Sequence, residues 1–149
     1  MIITKTVQIN VTSELLWEVL TGEEHIKQWM SSLISDEPVE PGPTKVGYLS
    51  KMKIKEGSNI VEYDSEITTY EPTKHLGMML KGGNLGKGPM SIDYRLEAEE
   101  TGTILNYEAR WEPRGFALKL MSPIITMMSR KNAEEELKQI KDYAEGLSQ

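Results

Sequence analysis

Hydrophobic and polar positions alternate along most of this chain, and near its end the alternation gives way to a helical repeat. Ile3, Val7, Ile9 and Val11 share one face of residues 2–11, with Thr4, Thr6, Gln8 and Asn10 opposite. Period-two spacing of this kind predicts a strand. Thr12 or Ser13 then offers a helix cap, and Ser13 to Leu20 reads as a short helix with Leu16, Val19 and Leu20 on one side. Thr21 and Glu24 have capping-box spacing, which predicts a second short helix to about Met30 that buries Ile26 and Trp29. Residues 31–45, with Pro38, Pro41, Gly42 and Pro43, read as a short edge strand and an irregular loop.

A series of hairpins follows. Val46, Tyr48, Ser50, Met52 and Ile54 form one face of the next strand, and Val61, Tyr63, Ser65 and Ile67 that of its neighbour. Leu76, Met78 and Leu80 come next, then Met90, Ile92, Tyr94, Leu96 and Ala98, then Leu105, Tyr107, Ala109 and Trp111. Turns at Glu56–Asn59, Glu71–Thr73 and Glu100–Gly102, and a glycine-rich stretch at 82–88, separate them. Clean alternation predicts one buried and one wet face, and short turns predict an antiparallel meander. From Pro113 to Leu147 the period changes. Leu137, Ile140, Ala144 and Leu147 recur at helical spacing, whereas residues 116–128 are apolar on nearly every side, and Pro123 is expected to kink or interrupt the helix. The order predicts an α+β fold, in which a curved antiparallel sheet wraps a long C-terminal helix and two short helices follow the first strand. Space left between sheet and helix becomes a ligand-sized cavity. The length of 149 residues suits one domain, 1–149.

Charge and composition narrow the partners. A formal net charge of -6 argues against nucleic acid. There is no cysteine, so disulfides, thiolate metal sites and a cysteine nucleophile are excluded. No stretch approaches the roughly twenty apolar residues of a membrane span, so stable membrane insertion is not expected. The N-terminus lacks a signal-peptide pattern, which fits a cytoplasmic location.

The chemistry-bearing residues are few. Tyr48, Tyr63, Tyr94 and Tyr107, with Ser50 and Ser65, place hydroxyls on the inward strand face, and Met52, Met78 and Met90 accompany them. Hydroxyls on an apolar wall orient a ligand, and methionines adapt to its shape. Trp111, Phe116, Leu120 and Ile124 complete the expected lining, with the helix around Pro123 as floor and the 82–88 loop as a candidate lid. Residues 116–128 also admit a homodimer contact or a membrane-touching segment. His25 and His75 have no metal spacing, His25 is expected to be exposed, and His75 has outward parity. Glu62, Asp64 and Glu66 alternate on the solvent face of their strand. No cofactor or metal is expected.

Several stretches resemble the START-like superfamily, the helix-grip fold of the birch pollen allergen and the polyketide cyclases. Ile9–Thr21 followed by His25–Trp29 is similar to the family's strand, polar bend, short helix and tryptophan after the second helix. Val46-Gly47, Ile67–Pro72 and the turn Gly102-Thr103 opening the last strand resemble later family landmarks. Leu120–Ile125 and Leu137–Gly146 resemble the C-terminal helix of the cyclase-type subgroup. The resemblance implies a cavity for lipids, polyketides or similar molecules, held by a carrier or sensor. It leaves two alternatives open. One is a polyketide cyclase, aromatase or dehydratase that uses cavity hydroxyls, with Tyr94 and Tyr107 as its candidates. The other is a chaperone-activator-like interaction module, although that subgroup's Trp-Trp-Gly-Pro reads here Trp29-Met30-Ser31-Ser32.

Overall fold

The computed structural model describes residues 1–148. The elements run β1 (Ile2–Ile9), α1 (Ser13–Thr21), α2 (Glu23–Trp29), β2 (Leu33–Pro38), β3 (Leu49–Glu56), β4 (Asn59–Glu71), β5 (His75–Gly82), β6 (Met90–Glu99), β7 (Gly102–Trp111) and α3 (Phe116–Leu147). All strands join one seven-stranded sheet in the order β1-β7-β6-β5-β4-β3-β2, and each neighbouring pair is antiparallel. This is the helix-grip fold expected from the pattern. Register shifts at Leu33/Ser35 in β2 and at Ile67/Thr69 in β4 bend the sheet, as bulges do.

One face of the sheet carries the core. Leu105, Tyr107, Ala109 and Trp111 of β7 are buried, as are Ile92, Tyr94 and Leu96 of β6. The second half of α3 lays Ala133, Leu137, Ile140 and Ala144 against this core, while α3 packs on β1, α1 and α2, and α1 also meets β6 and β7. Thr12 caps α1 by accepting the Leu15 N–H at 3.2 Å. The adjacent Ser13 hydroxyl meets Thr103 Oγ1 at 3.1 Å, and Thr103 donates to the Val11 carbonyl at 2.9 Å. This buried hydroxyl pair joins the start of α1 to β7.

Four local expectations change. Thr21 does not cap α2. It closes α1 and donates back to the Trp17 carbonyl at 2.7 Å, a bond that threonine forms readily within a helix, and Gly22 takes the cap position without a side-chain bond. β3 begins at Leu49, so Val46 lies outside the sheet and is exposed. His25 is half-buried, its Nδ1 2.7 Å from the Tyr143 hydroxyl, because α2 packs against α3. α3 runs through Pro123 without interruption; the ring removes a single N–H bond, to the Lys119 carbonyl, and the turns on either side persist.

The anchoring half of α3 should dominate stability. Ile140→Ala, at a fully buried position, is expected to cost about 2–5 kcal/mol in urea denaturation. Ile2→Ala, at a position 54% exposed, should stay within about 0.5 kcal/mol of wild type.

Candidate functional site

The helices cover β1, β7 and part of β6, and the rest of the concave face lines a cavity of about 1220 Å³. Its walls come from alternate positions of five strands. Asp36 of β2, Ser50 and Met52 of β3, Ser65 and Ile67 of β4, Leu76, Met78 and Leu80 of β5, and Ile92 and Tyr94 of β6 all face it. Ile26, Trp29 and Met30 close one side, and Met128, Asn132, Glu136 and Gln139 of α3 close another.

Four of the residues anticipated as ligand contacts meet there: Tyr48, Met52, Met78 and Tyr94. The other seven lie elsewhere. Tyr107 and Trp111 have the inward parity read from the sequence, but β7 sits under the helices. Tyr107 packs edge-on to Tyr94 with ring centroids 5.5 Å apart. Trp111 donates from Nε1 to the Gly88 carbonyl at 3.1 Å. Met90 is half-buried against the core. Tyr63 is buried, its hydroxyl donating to Glu56, and burial raises its pKa before the Glu56 hydrogen bond adds to the shift. Phe116, Leu120 and Ile124 point to solvent, 80%, 67% and 55% exposed. They form no floor, because the inner side of this half of α3 is taken by Leu118 and Ile125, which pack against the core, and these three lie on the other side.

The 82–88 stretch is exposed except at Leu85 and Gly88, and its Asn84 borders the cavity. Residues Gly83–Leu85 form a single 3-10 turn with Leu85 buried. Gly83 has φ 54° and lies flat against the Tyr63 ring, where any Cβ would collide. His75 Nε2 sits 2.6 Å from Asp93 on the outer face, as its parity indicated. Lys51 pairs with Asp64 at 3.2 Å and with Glu62 at 3.5 Å, on the solvent side of β3 and β4. Among the described residues no cluster of three or more histidines or carboxylates could hold a metal ion.

Two carboxylates escaped sequence reading. Glu136 projects from α3 into the cavity and accepts the Tyr94 hydroxyl at 2.7 Å. Burial pushes its pKa up, and the Tyr94 bond offsets this in part. The Tyr94 pKa is raised in turn by burial, then by the charge of Glu136; Tyr107 is raised by the same two causes. A signal was available: Ala133, Glu136, Ile140 and Ala144 recur at spacings of three and four, which places an acid within the apolar stripe. Asp36, paired with Met52 across β2 and β3, faces the cavity with that residue. Its Oδ1 is the one buried side-chain polar atom without a hydrogen-bond partner among the described residues. Burial raises its pKa, the Ser50 hydroxyl partly counters this, and the Glu23 charge adds to it. Leu33-Ile34-Ser35-Asp36-Glu37 shows no apolar–polar alternation before Pro38, so the sequence assigned Asp36 to no face.

Known proteins bear on this geometry. Residues 1–145 match the family described as polyketide cyclase / dehydrase and lipid transport. A solved structure from Thermus thermophilus superposes with a TM-score of 0.80 at 14% identity, covering 100% of both chains. The Ara h 8.0201 structure gives 0.76 at 20% identity over 100% of this chain and 99% of its own. The Zhui aromatase/cyclase from Streptomyces sp. R1128 gives 0.77 at 15% identity over 100% and 96%. At these identities the likeness shows the fold. No curated protein matches the sequence closely enough to count as a relative.

The buried carboxyl makes stability depend on pH. Folding holds the Glu136 proton above the ordinary carboxylate value of 4.5, so the native state binds more protons than the unfolded chain in that window. Native stability therefore falls as pH rises through it. Glu136→Gln removes this loss: in urea denaturation from about pH 4 to about pH 8, the variant's stability relative to wild type should grow with pH. A constant difference would contradict a buried, proton-retaining Glu136.

Proposed function

From a chain that belongs to the polyketide cyclase/dehydrase and lipid transport family, we propose a protein that binds one small hydrophobic molecule in the cavity between sheet and α3, as a carrier or sensor. The cavity itself carries the reading. At about 1220 Å³ it exceeds the roughly 300–1,000 Å³ usual for small-molecule sites. A closed, dry core, as a pure interaction module would have, leaves no such space. The apolar wall of Met52, Ile67, Leu76, Met78, Leu80 and Ile92 suits an aliphatic or polycyclic body.

The polar groups set the ligand's other end. The lining contains Glu23, Asp36, Glu56, Glu135 and Glu136, against Lys27 and Lys55, and no arginine. Lys27 is already paired with Glu23 at 3.1 Å. An anionic head group would find no basic clamp, and a neutral or cationic hydrogen-bond donor would satisfy Asp36 Oδ1. The ligand is thus an apolar molecule with a donor-bearing polar end.

The Glu136–Tyr94 pair favours a second reading, a cyclase- or dehydratase-type enzyme. A carboxyl whose pKa is raised by burial gives up its proton less readily than a free one and is a candidate donor to a ligand carbonyl oxygen; perturbed carboxyls in cavities mark such sites. Glu136→Gln separates the two: it abolishes turnover in an enzyme and leaves binding within a few-fold in a carrier.

Binding is tested with Nile red, a neutral dye. One molecule per chain should bind with blue-shifted emission, and Met78→Trp, which fills the cavity, should weaken it about tenfold or more, equivalent to ~1.4 kcal/mol. Dodecylamine should displace the dye at about tenfold lower concentration than dodecanoate, the scale of one charge-assisted hydrogen bond. The absence of saturable binding, together with no co-purifying small molecule by native mass spectrometry, would overturn the binding reading. The reverse order of displacement would overturn the donor-end assignment alone.

A further inference from the structure

The first half of α3 carries large apolar groups on both of its sides. Its inner positions are Leu118, Ser122, Ile125, Thr126 and Ser129, all half-buried; Leu118 and Ile125 pack against the core, and Thr126 donates to the Ser122 carbonyl at 2.7 Å. Its outward positions are Phe116, Leu120, Met121, Ile124, Met127 and Met128, all exposed. A helix resting on its own core needs large apolar groups on its inner side alone. The six outward ones form a continuous external stripe in addition, larger than isolated exposed residues require.

The charges beside the stripe identify what covers it. Between Glu112 and Glu134 there is no carboxylate, whereas Arg114, Lys119, Arg130 and Lys131 lie in that interval. The whole chain has a net charge of -6, so this interval contributes +4 and the remainder -10. All four cations are exposed, and none forms an ion pair among the described residues. Lys119 and Arg130 are eleven residues apart, about three turns, and so share one edge of the apolar stripe. An apolar stripe with cationic borders complements an anionic lipid surface, where acyl chains receive the apolar groups and lipid head groups the cations. Two copies meeting face to face would bring like charges together. The thirteen residues from Phe116 to Met128 span about 20 Å, long enough to lie along a bilayer and short of the ~30 Å needed to cross it. No helix among the described residues is long and apolar enough to span one. Met128 belongs both to this stripe and to the cavity lining, so the surface opens beside the site.

We propose that the Phe116–Met128 face of α3 docks peripherally on anionic lipid bilayers. The test is co-sedimentation of the full chain with vesicles of phosphatidylcholine alone, or of phosphatidylcholine with about 30% phosphatidylglycerol. Binding is expected only to the anionic vesicles, and it should weaken steeply between about 0.05 and 0.5 M salt as screening grows. Leu120→Glu/Ile124→Glu should reduce binding at least tenfold. Lys119→Glu/Arg130→Glu, which leaves every apolar group in place, should do the same at roughly 1 kcal/mol per cation removed. Both variants change exposed side chains, and unchanged thermal melting confirms their fold. Three results would overturn the proposal: no binding to anionic vesicles, equal binding to neutral ones, or wild-type self-association in sedimentation velocity that Leu120→Glu/Ile124→Glu abolishes while lipid binding persists.

Discussion

One helix cannot cover seven strands. Neighbouring strands lie about 4.8 Å apart, so the sheet is roughly 30 Å wide, whereas a helix with its side chains is about 10–12 Å across. α3 meets that limit by committing its second half to the β1 side, where Ile140 and Ala144 are fully buried. α1 extends the cover over parts of β6 and β7, and its Trp17 meets Tyr70 near the end of β4. What remains is the concave face of β2 to β6, apolar by alternation, with the helices at its sides and none filling it. The cavity follows from this mismatch of widths and from the bulges that curve the uncovered half. It needs no special device.

The same constraint sorts the tyrosines. Tyr94 and Tyr107 stand opposite one another across β6 and β7, share a face and touch edge to edge. Tyr94 reaches the cavity, and Tyr107 lies beneath the helices as its backing. Tyr107 contacts no cavity space; it packs edge-on against the ring whose hydroxyl donates to Glu136, a favoured aromatic geometry. Lateral place across the sheet, not side-chain parity, decides which inward residue can meet a ligand.

That distinction also explains what could be read from the chain beforehand. Period-two alternation placed Ser50, Met52, Ser65, Met78, Tyr94, Tyr107 and Trp111 on the buried face, and the order of turns implied the meander. Alternation carries no information on how far a strand lies from the helix, so Tyr107 and Trp111 could not be separated from Tyr94. For Phe116, Leu120 and Ile124 the difficulty was different. An all-apolar helical stretch shows that something must cover it but not from which side. Leu118 and Ile125 take the inner side with Ser122, Thr126 and Ser129, which leaves Phe116, Leu120 and Ile124 outside, and nothing in an all-apolar stretch ranks one side above the other.

The features the pattern did not disclose are those that break local rules. Glu136 interrupts the apolar stripe of α3, Asp36 faces the cavity with an unpartnered oxygen, and residues 116–128 expose a second apolar side to water. Each is costly to the isolated fold: a carboxyl in an apolar wall resists ionisation, an orphaned buried oxygen forfeits its hydration, and an exposed stripe of six large apolar residues faces water. The stability that offsets them comes from the other side of the molecule, where Ile9, Leu16, Leu105 and Ile140 pack with no exposure. Sequences that satisfy packing and polarity everywhere else keep such violations at sites of use. Asp36 and Glu136 line the cavity, and the exposed stripe reaches it at Met128. The side of the sheet that the helix anchors provides the fold, and the side it leaves open provides the site.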